Sequence, residues 1–483
     1  MWPGQFPVKV PAFASYGKTK HDDGEPVTNS QYRERMKNIL NTFLPLYTTT
    51  LLMLLGSGLL TTYISLRLAH EDVSGTVIGA ITAANYLGLV IGGKVGHNLI
   101  ARVGHIRAYV SCAGIITASV VGHGLSDFIP LWIFLRMVIG LCMMCQYMVL
   151  ESWLNDRAES SQRGAIFGLY MVATYLGLCG GQIILMAAAG TGPSMLLIVA
   201  LCFALCLVPI ALTTRTTAQP MTPAPMELGY FFKAIPKLLA ATLVMGMAAG
   251  AFYGLAPVYA ISQGLTTQQT GLFMGVTIFA GMVSQFPLSW LSDRYDRQHL
   301  LFYTAVLFAL ASLPLSILPH LGFYWLLGIA FVSSMAMFSL YPLGVAIAND
   351  HVEAERRVSL TACLLMAFGV GACIGPLITG AVMQPFGGNV LYFCFTLCGV
   401  TIGAISWIRK RQPEIIVDAP LPHVVMPDSL MSSPLAVALN PSMDEEVIQE
   451  AMVDTPPEDA APEEKITPDA ETSEETAETR TAP

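Results

Sequence analysis

Between Leu44 and Ile408 the chain is a succession of apolar runs of about twenty residues, separated by short breaks rich in Gly, Pro or charge. No feature constrains the fold more. In hydrocarbon every backbone N–H and C=O needs an internal partner, and about twenty apolar residues wound as a helix span the membrane core. The runs predict helices over 44–66, 76–98, 105–124, 129–150, 165–189, 194–213, 237–260, 269–291, 299–318, 323–346, 358–383 and 388–408. The fold class read from them is an all-α membrane protein with twelve transmembrane helices. Residues 1–43 are polar, and the first apolar run is too long for the core of a cleavable signal.

The residue content excludes several classes of chemistry. All ten cysteines lie inside apolar runs. Cys142/Cys145, Cys202/Cys206 and Cys394/Cys398 have helical spacing, but no His or carboxylate stands at the same depth to complete a metal set. They read as buried apolar thiols. There is no nucleophile–base pair and no phosphate-binding glycine loop, so the sequence predicts no enzyme activity, no cofactor and no metal. Nor is there the basic patch that nucleic-acid binding needs.

Charge is unevenly divided. Residues 412–483 hold 17 acidic and 2 basic residues, so the net charge of −8 belongs to this tail. Rich in Pro, Glu, Ala and Thr, segment 409–483 reads as a disordered acidic extension.

The apolar region repeats itself. An offset of 192 places Gly79 on Gly271 and Arg102 on Arg294. Two residues later in register, an offset of 194 pairs Tyr147 with Tyr341, Asn155 with Asn349, Asp156 with Asp350, Arg163 with Arg357, Gly177 with Gly371 and Gly181 with Gly375. The domains read as an N-terminal segment 1–43, a six-helix bundle 44–213, a proline-bearing linker 214–236, a second bundle 237–408 and the tail 409–483. Parallel six-helix repeats are built around a site at the midplane between the halves. Lys and Arg concentrate at the termini and the even-numbered connections, and Arg67 alone stands on an odd one, which predicts both termini in the cytoplasm.

One short stretch, WLSDRYDRQHL at 290–300, carries a specific pattern. Ser289, Asp293, Arg294, Asp296 and Arg297 fit the form G-x-x-x-D-R-x-G-R, with Ser289 and Asp296 in place of its two glycines. The first-half copy, HNLIARVGHIR, keeps Arg102 and Gly104 but has Ala101 at the acid and His97 at the first glycine. These motifs and the double repeat resemble the major facilitator superfamily over residues 40–410, most like its bacterial YcaD-like branch. The resemblance implies a latch between the halves at the cytoplasmic face, formed by Asp293, Arg294, Arg297 and Arg102. It implies that Glu151, twelve residues before Arg163, pairs with motif arginines at the same gate. Arg136 opens the family's R-x-x-x-G element with Gly140. A charge at that depth faces a cavity or a partner, which makes Arg136 the leading substrate-binding or coupling residue.

Asn85, Gln146, Tyr253, Gln285 and Tyr341 complete the expected site. Gly250, Gly254 and Pro257 predict a bent or unwound helix beside it. The superfamily's drug/proton antiporters carry a Gly-Pro motif in helix 5, where this chain has Gln182. No predicted helix has an acid near its middle, and helix 1 offers only Thr61, Thr62, Tyr63 and Ser65. Both departures weigh against cation export. The reading is a secondary transporter of a small anionic or neutral solute, with protons the candidate coupling ion, monomeric in the inner (plasma) membrane. Efflux is the alternative within that class, and a non-transporting sensor acting through the acidic tail is the alternative outside it.

Overall fold

The structure, a computed structural model, describes residues 29–157, 163–187, 192–212, 228–318, 321–350, 352, 356–407 and 433. Among them there is no strand. Twelve helices are long and apolar enough to cross a membrane. In the first half these are α1 (Asn29–His70), α2 (Gly75–Val103), α3 (His105–Leu125), α4 (Ile129–Arg157), α5 (Arg163–Ala187) and the pair α6 (Ser194–Leu205) and α7 (Leu207–Ala211). α6 and α7 form one span, broken at Cys206. After a short α8 (Leu228–Ala234), the second half comprises α9 (Pro236–Ser262), α10 (Thr267–Ser292), α11 (Arg297–Ile317), α12 (Phe323–Asn349), α13 (Arg357–Phe386) and α14 (Val390–Trp407).

The largest departures from the sequence expectation are at α1 and α8. α1 begins at Asn29, inside the segment assigned to a polar N-terminus, because QYRERMKNIL contains no Gly or Pro to stop it. α8 occupies part of the expected linker. The tail expectation lies outside the described residues, apart from Ser433.

The repeat is physical as well as textual. Gly177 and Gly181 of α5 press on Leu51 O and Leu55 O of α1, where an added Cβ would meet those oxygens at 2.6 and 2.7 Å. Gly371 and Gly375 of α13 press on Leu243 O and Met247 O of α9 at 2.0 and 2.1 Å. Each half thus seats a fifth helix against a first one through the same pair of glycines, the close approach that small residues give membrane helices.

The expected unwinding of α9 is not found: α9 is one continuous helix from Pro236 to Ser262. Its glycines serve contact instead. Gly246 and Gly250 meet Phe368 O and Ala372 O, and Gly254 receives the side chain of Thr82 from the other half.

With an even number of spans, α1 enters and α14 leaves on the same side, here named the terminal face. At the opposite face the halves are joined. Gly75 and Gly380 meet backbone to backbone, Gly79 abuts Pro376 O, and Thr76 Oγ1 donates to Gln384 Oε1 at 2.8 Å. On the other flank Gly271 of α10 packs on Gln182 and Met186 of α5. The molecule is closed at the face away from its termini.

Candidate substrate site and gates

Near the middle of the bundle a narrow cavity lies between the halves. The first half contributes Ser57, Thr61 and Thr62 from α1, Asn85 and Tyr86 from α2, Tyr147 from α4 and Gln182 from α5. The second half contributes Tyr253 from α9 and Ile278 from α10. Ser57 and Thr61 are four residues apart and share one face of α1. Apolar walls with a few polar groups are the usual lining of a small-solute site. Two of those groups have spare capacity: Asn85 Oδ1 and Gln182 Oε1 are buried without a hydrogen-bond partner. Gln182 is held in place by donating its amide to Gly58 O at 3.2 Å.

Arg136 stands behind this wall. It lies seven residues into α4, about 10 Å along the helix from the opposite face. It is 3% exposed, and its Nη2 donates to Thr61 Oγ1 at 3.3 Å. Nε is buried without a partner. Among the described residues no carboxylate lies within ion-pair distance of it. Its position is fixed by the glycines around it. A Cβ on Gly140 would sit 2.0 Å from Asn85 O, and one on Gly88 would sit 2.0 Å from Met137 O, so α2 and α4 touch at backbone distance in the turn that follows Arg136. The arrangement is a buried cation, one hydroxyl away from the cavity and short of counter-charge.

At the terminal face Arg294, Asp296 and Arg297 each meet a partner in their own half. Asp293 ends α10, and the Arg294 guanidinium lies over the Trp290 ring at 4.0 Å. Asp296 caps α11 by accepting from the His299 N–H at 2.9 Å. Arg297 pairs with Asp350 at the end of α12 at 2.6 Å. In the first half Arg102 is exposed, and Gly104 turns the chain from α2 into α3 with φ 83°, a conformation that favours glycine. Arg163 is buried with Nε and Nη1 unpartnered, and its repeat mate Arg357 is buried with Nε unpartnered.

The family profile described as Major Facilitator Superfamily matches residues 46–339, more than half of the chain. The chain belongs to the major facilitator superfamily. It is similar to the MFS-type transporter YcaD of Escherichia fergusonii, 26% identical over 360 residues that cover 74% of this chain and 91% of that one. An MFS-type transporter of Enterobacter sp. strain 638 is 28% identical, covering 71% and 89%. In fold it is similar to the crystal structure of the nucleoside transporter NupG, with TM-score 0.66, 14% identity and coverage of 76% and 99%. A D-xylose–proton symporter aligns with TM-score 0.63, 16% identity and coverage of 77% and 98%. These relatives are transporters, and the chain is a multi-pass membrane transporter of the superfamily, not an enzyme.

Within the superfamily fold the expected site residues divide. Asn85 and Tyr253 reach the cavity, with Tyr253 edge-on to Phe252 at 5.2 Å, and Arg136 adjoins it through Thr61. Gln146, Gln285 and Tyr341 are not among the cavity's lining residues. Gln146 is fully buried in α4 beside Cys206, Gln285 turns its amide onto Gly281 O at 3.4 Å, and Tyr341 meets Phe368 edge-on at 4.8 Å. Among the expected gate residues, Glu151 is fully buried, accepts from Tyr170 Oη at 3.1 Å and receives the N–H of tail residue Ser433 at 2.9 Å. The residues that sequence reasoning passed over are Ser57, His123 and Ser433. Ser57 had a signal, its four-residue spacing from Thr61. His123, buried with Nε2 unpartnered beside Trp132, had none beyond its place in an apolar run.

Proposed function

We propose that this superfamily member carries a small solute with an anionic group by alternating access, with its terminal face toward the cytoplasm of a bacterial cell. The observation that supports the anionic class is Arg136. A buried guanidinium with an unpartnered N–H, joined through Thr61 to a cavity between the halves, gains a partner when a carboxylate or phosphate enters. The unpartnered amide oxygens of Asn85 and Gln182 would accept from hydroxyl or N–H groups on the same solute. Uptake, with protons as coupling ion, is the direction we favour. The cytoplasmic orientation follows from the excess of Lys and Arg on the terminal face.

The experiment is a thermal-shift screen of purified wild type and Arg136→Ala against carboxylates, phosphates and drug-like cations. At a solute concentration near 100 Kd, linkage contributes about 2.7 kcal/mol to stability, enough for a shift of several degrees. A carboxylate that stabilises the wild type and leaves Arg136→Ala unmoved supports the proposal. Stabilisation by cations, equal in both proteins, overturns it in favour of efflux and returns Arg136 to a structural role.

A further inference from the structure

The tail contributes one described residue, Ser433, and it is buried. It is 1% exposed, and its partner Glu151 is 0% exposed, although the two stand 282 positions apart. The Ser433 main-chain N–H donates to both carboxylate oxygens of Glu151, at 3.2 and 2.9 Å, and its hydroxyl donates to Oε2. Tyr170 Oη donates to Oε1 of the same carboxylate at 3.1 Å. These donors, one N–H and two hydroxyls, are of the charge-assisted kind that a carboxylate accepts.

The position of this contact gives it meaning. Met143 and Tyr147 line the cavity from α4, and Glu151 continues their stripe one turn nearer the terminal face. Tyr170 lies on α5 two turns to the terminal side of the cavity residue Leu178. Ser433 therefore meets the first half on the path between the cavity and the terminal face. Its own chain leaves the second half at Trp407, so the contact joins one half to the other. The 25 residues between, 408–432, reach at most about 90 Å when extended, ample for the crossing. The local sequence suits the place: between residues 419 and 443 Asp428 is the sole charge, and Leu, Val, Met and Pro surround Ser433.

We propose that Glu151 and Tyr170 form a docking site for this chain's own tail, and that Ser433 seated there straps the halves together and blocks the route between cavity and terminal face. The lone pairs that Ser433 occupies are those Glu151 would offer to a gate arginine. The tail must leave before the terminal face can close, so docking holds the molecule in the state described above. The docking contact does not depend on which solute is carried.

The test uses the full-length protein in detergent and a polar polyethylene-glycol maleimide. Cysteine at 433 (Ser433→Cys) should react at least tenfold more slowly than cysteine at the tail position 473 (Ser473→Cys), roughly the factor that one hydrogen bond to a charged group is worth. Adding Glu151→Ala to Ser433→Cys should bring the two rates together. Because the cysteine itself replaces the hydroxyl, limited chymotrypsin digestion of the native tail is the second measurement. Cleavage after Leu435 should be at least about tenfold faster in Ser433→Asp, which sets a negative charge against Glu151 and leaves the membrane region unchanged. Equal maleimide rates at 433 and 473 in the chain with native Glu151, or equal cleavage of wild type and Ser433→Asp, overturns the proposal.

Discussion

Single residues show where this chain departs from the motif it resembles and why the departure is tolerated. The second copy of the loop signature has Asp296 where the pattern has glycine. In the first copy that glycine, Gly104, turns the chain at positive φ, whereas Asp296 has φ −56° and an oxygen on the His299 N–H. The position has become an N-cap, and a cap needs no glycine. Replacing an N-cap Asp with Ala costs about 1 kcal/mol, whereas Gly costs only a few tenths. Asp296→Ala should therefore lower the melting temperature measurably, while Asp296→Gly, which restores the family residue, should leave it almost unchanged. Equal losses in a thermal melt would show that the Asp side chain acts through His299 or another charge, not as a cap. The ion pair of Arg297 with Asp350 was equally hidden. The two residues are 53 positions apart, and no spacing rule joins a loop to the end of the next helix but one.

At the scale of the helix, the glycine pairs decide packing. Gly177 has the α1 backbone within 2.6 Å of any added Cβ, whereas Gly168 on the same helix has nothing within 4 Å. Backbone cannot swing aside as a side chain can, and overpacking of this kind costs roughly 1–3 kcal/mol. Gly177→Ala and its mate Gly371→Ala should each lower thermal stability by that order, and Gly168→Ala should not. If Gly168→Ala is as damaging, the close approach of α5 to α1 is not what these glycines provide. This level of the molecule was legible in the sequence, because the paired glycines recur at a fixed offset and small residues have few other reasons to repeat. The rotation of α4 was not. That helix is apolar nearly all round, so periodicity could not say whether Gln146 or Asn85's neighbours faced the cavity. Arg136 could be placed by the cost of its charge alone, whereas Gln146, a neutral amide, carries no such cost and proved to lie beside Cys206. The Glu151 contact was illegible for a different reason: its partner is a serine 282 residues away in a segment that composition assigns to disorder.

For the molecule as a whole, the closed opposite face is a statement about an equilibrium. Backbone-to-backbone contact of Gly75 with Gly380, Gly79 on Pro376 and the bond from Thr76 to Gln384 hold α2 against α13, and Gly271 holds α10 against α5. These contacts have few charges in them. Their strength is therefore packing and exclusion of lipid and water, and alternating access requires them to part as one body. Cysteines at Thr76 and Gln384, whose side chains now meet at 2.8 Å, should be joined in high yield by a short bifunctional thiol reagent in ligand-free membranes. A protease site placed in the 214–227 linker reads the result, because joined halves migrate together on a denaturing gel after cleavage. In the joined protein a further cysteine at Ser57, on the cavity wall, should be closed to a polar thiol reagent from the opposite face. Reducing the cross-link should restore labelling from that side as the halves resume their exchange. Low cross-linking in ligand-free membranes would mean that the resting state is open at this face, and a Ser57 cysteine labelled from that side despite the cross-link would mean that these contacts do not form the seal.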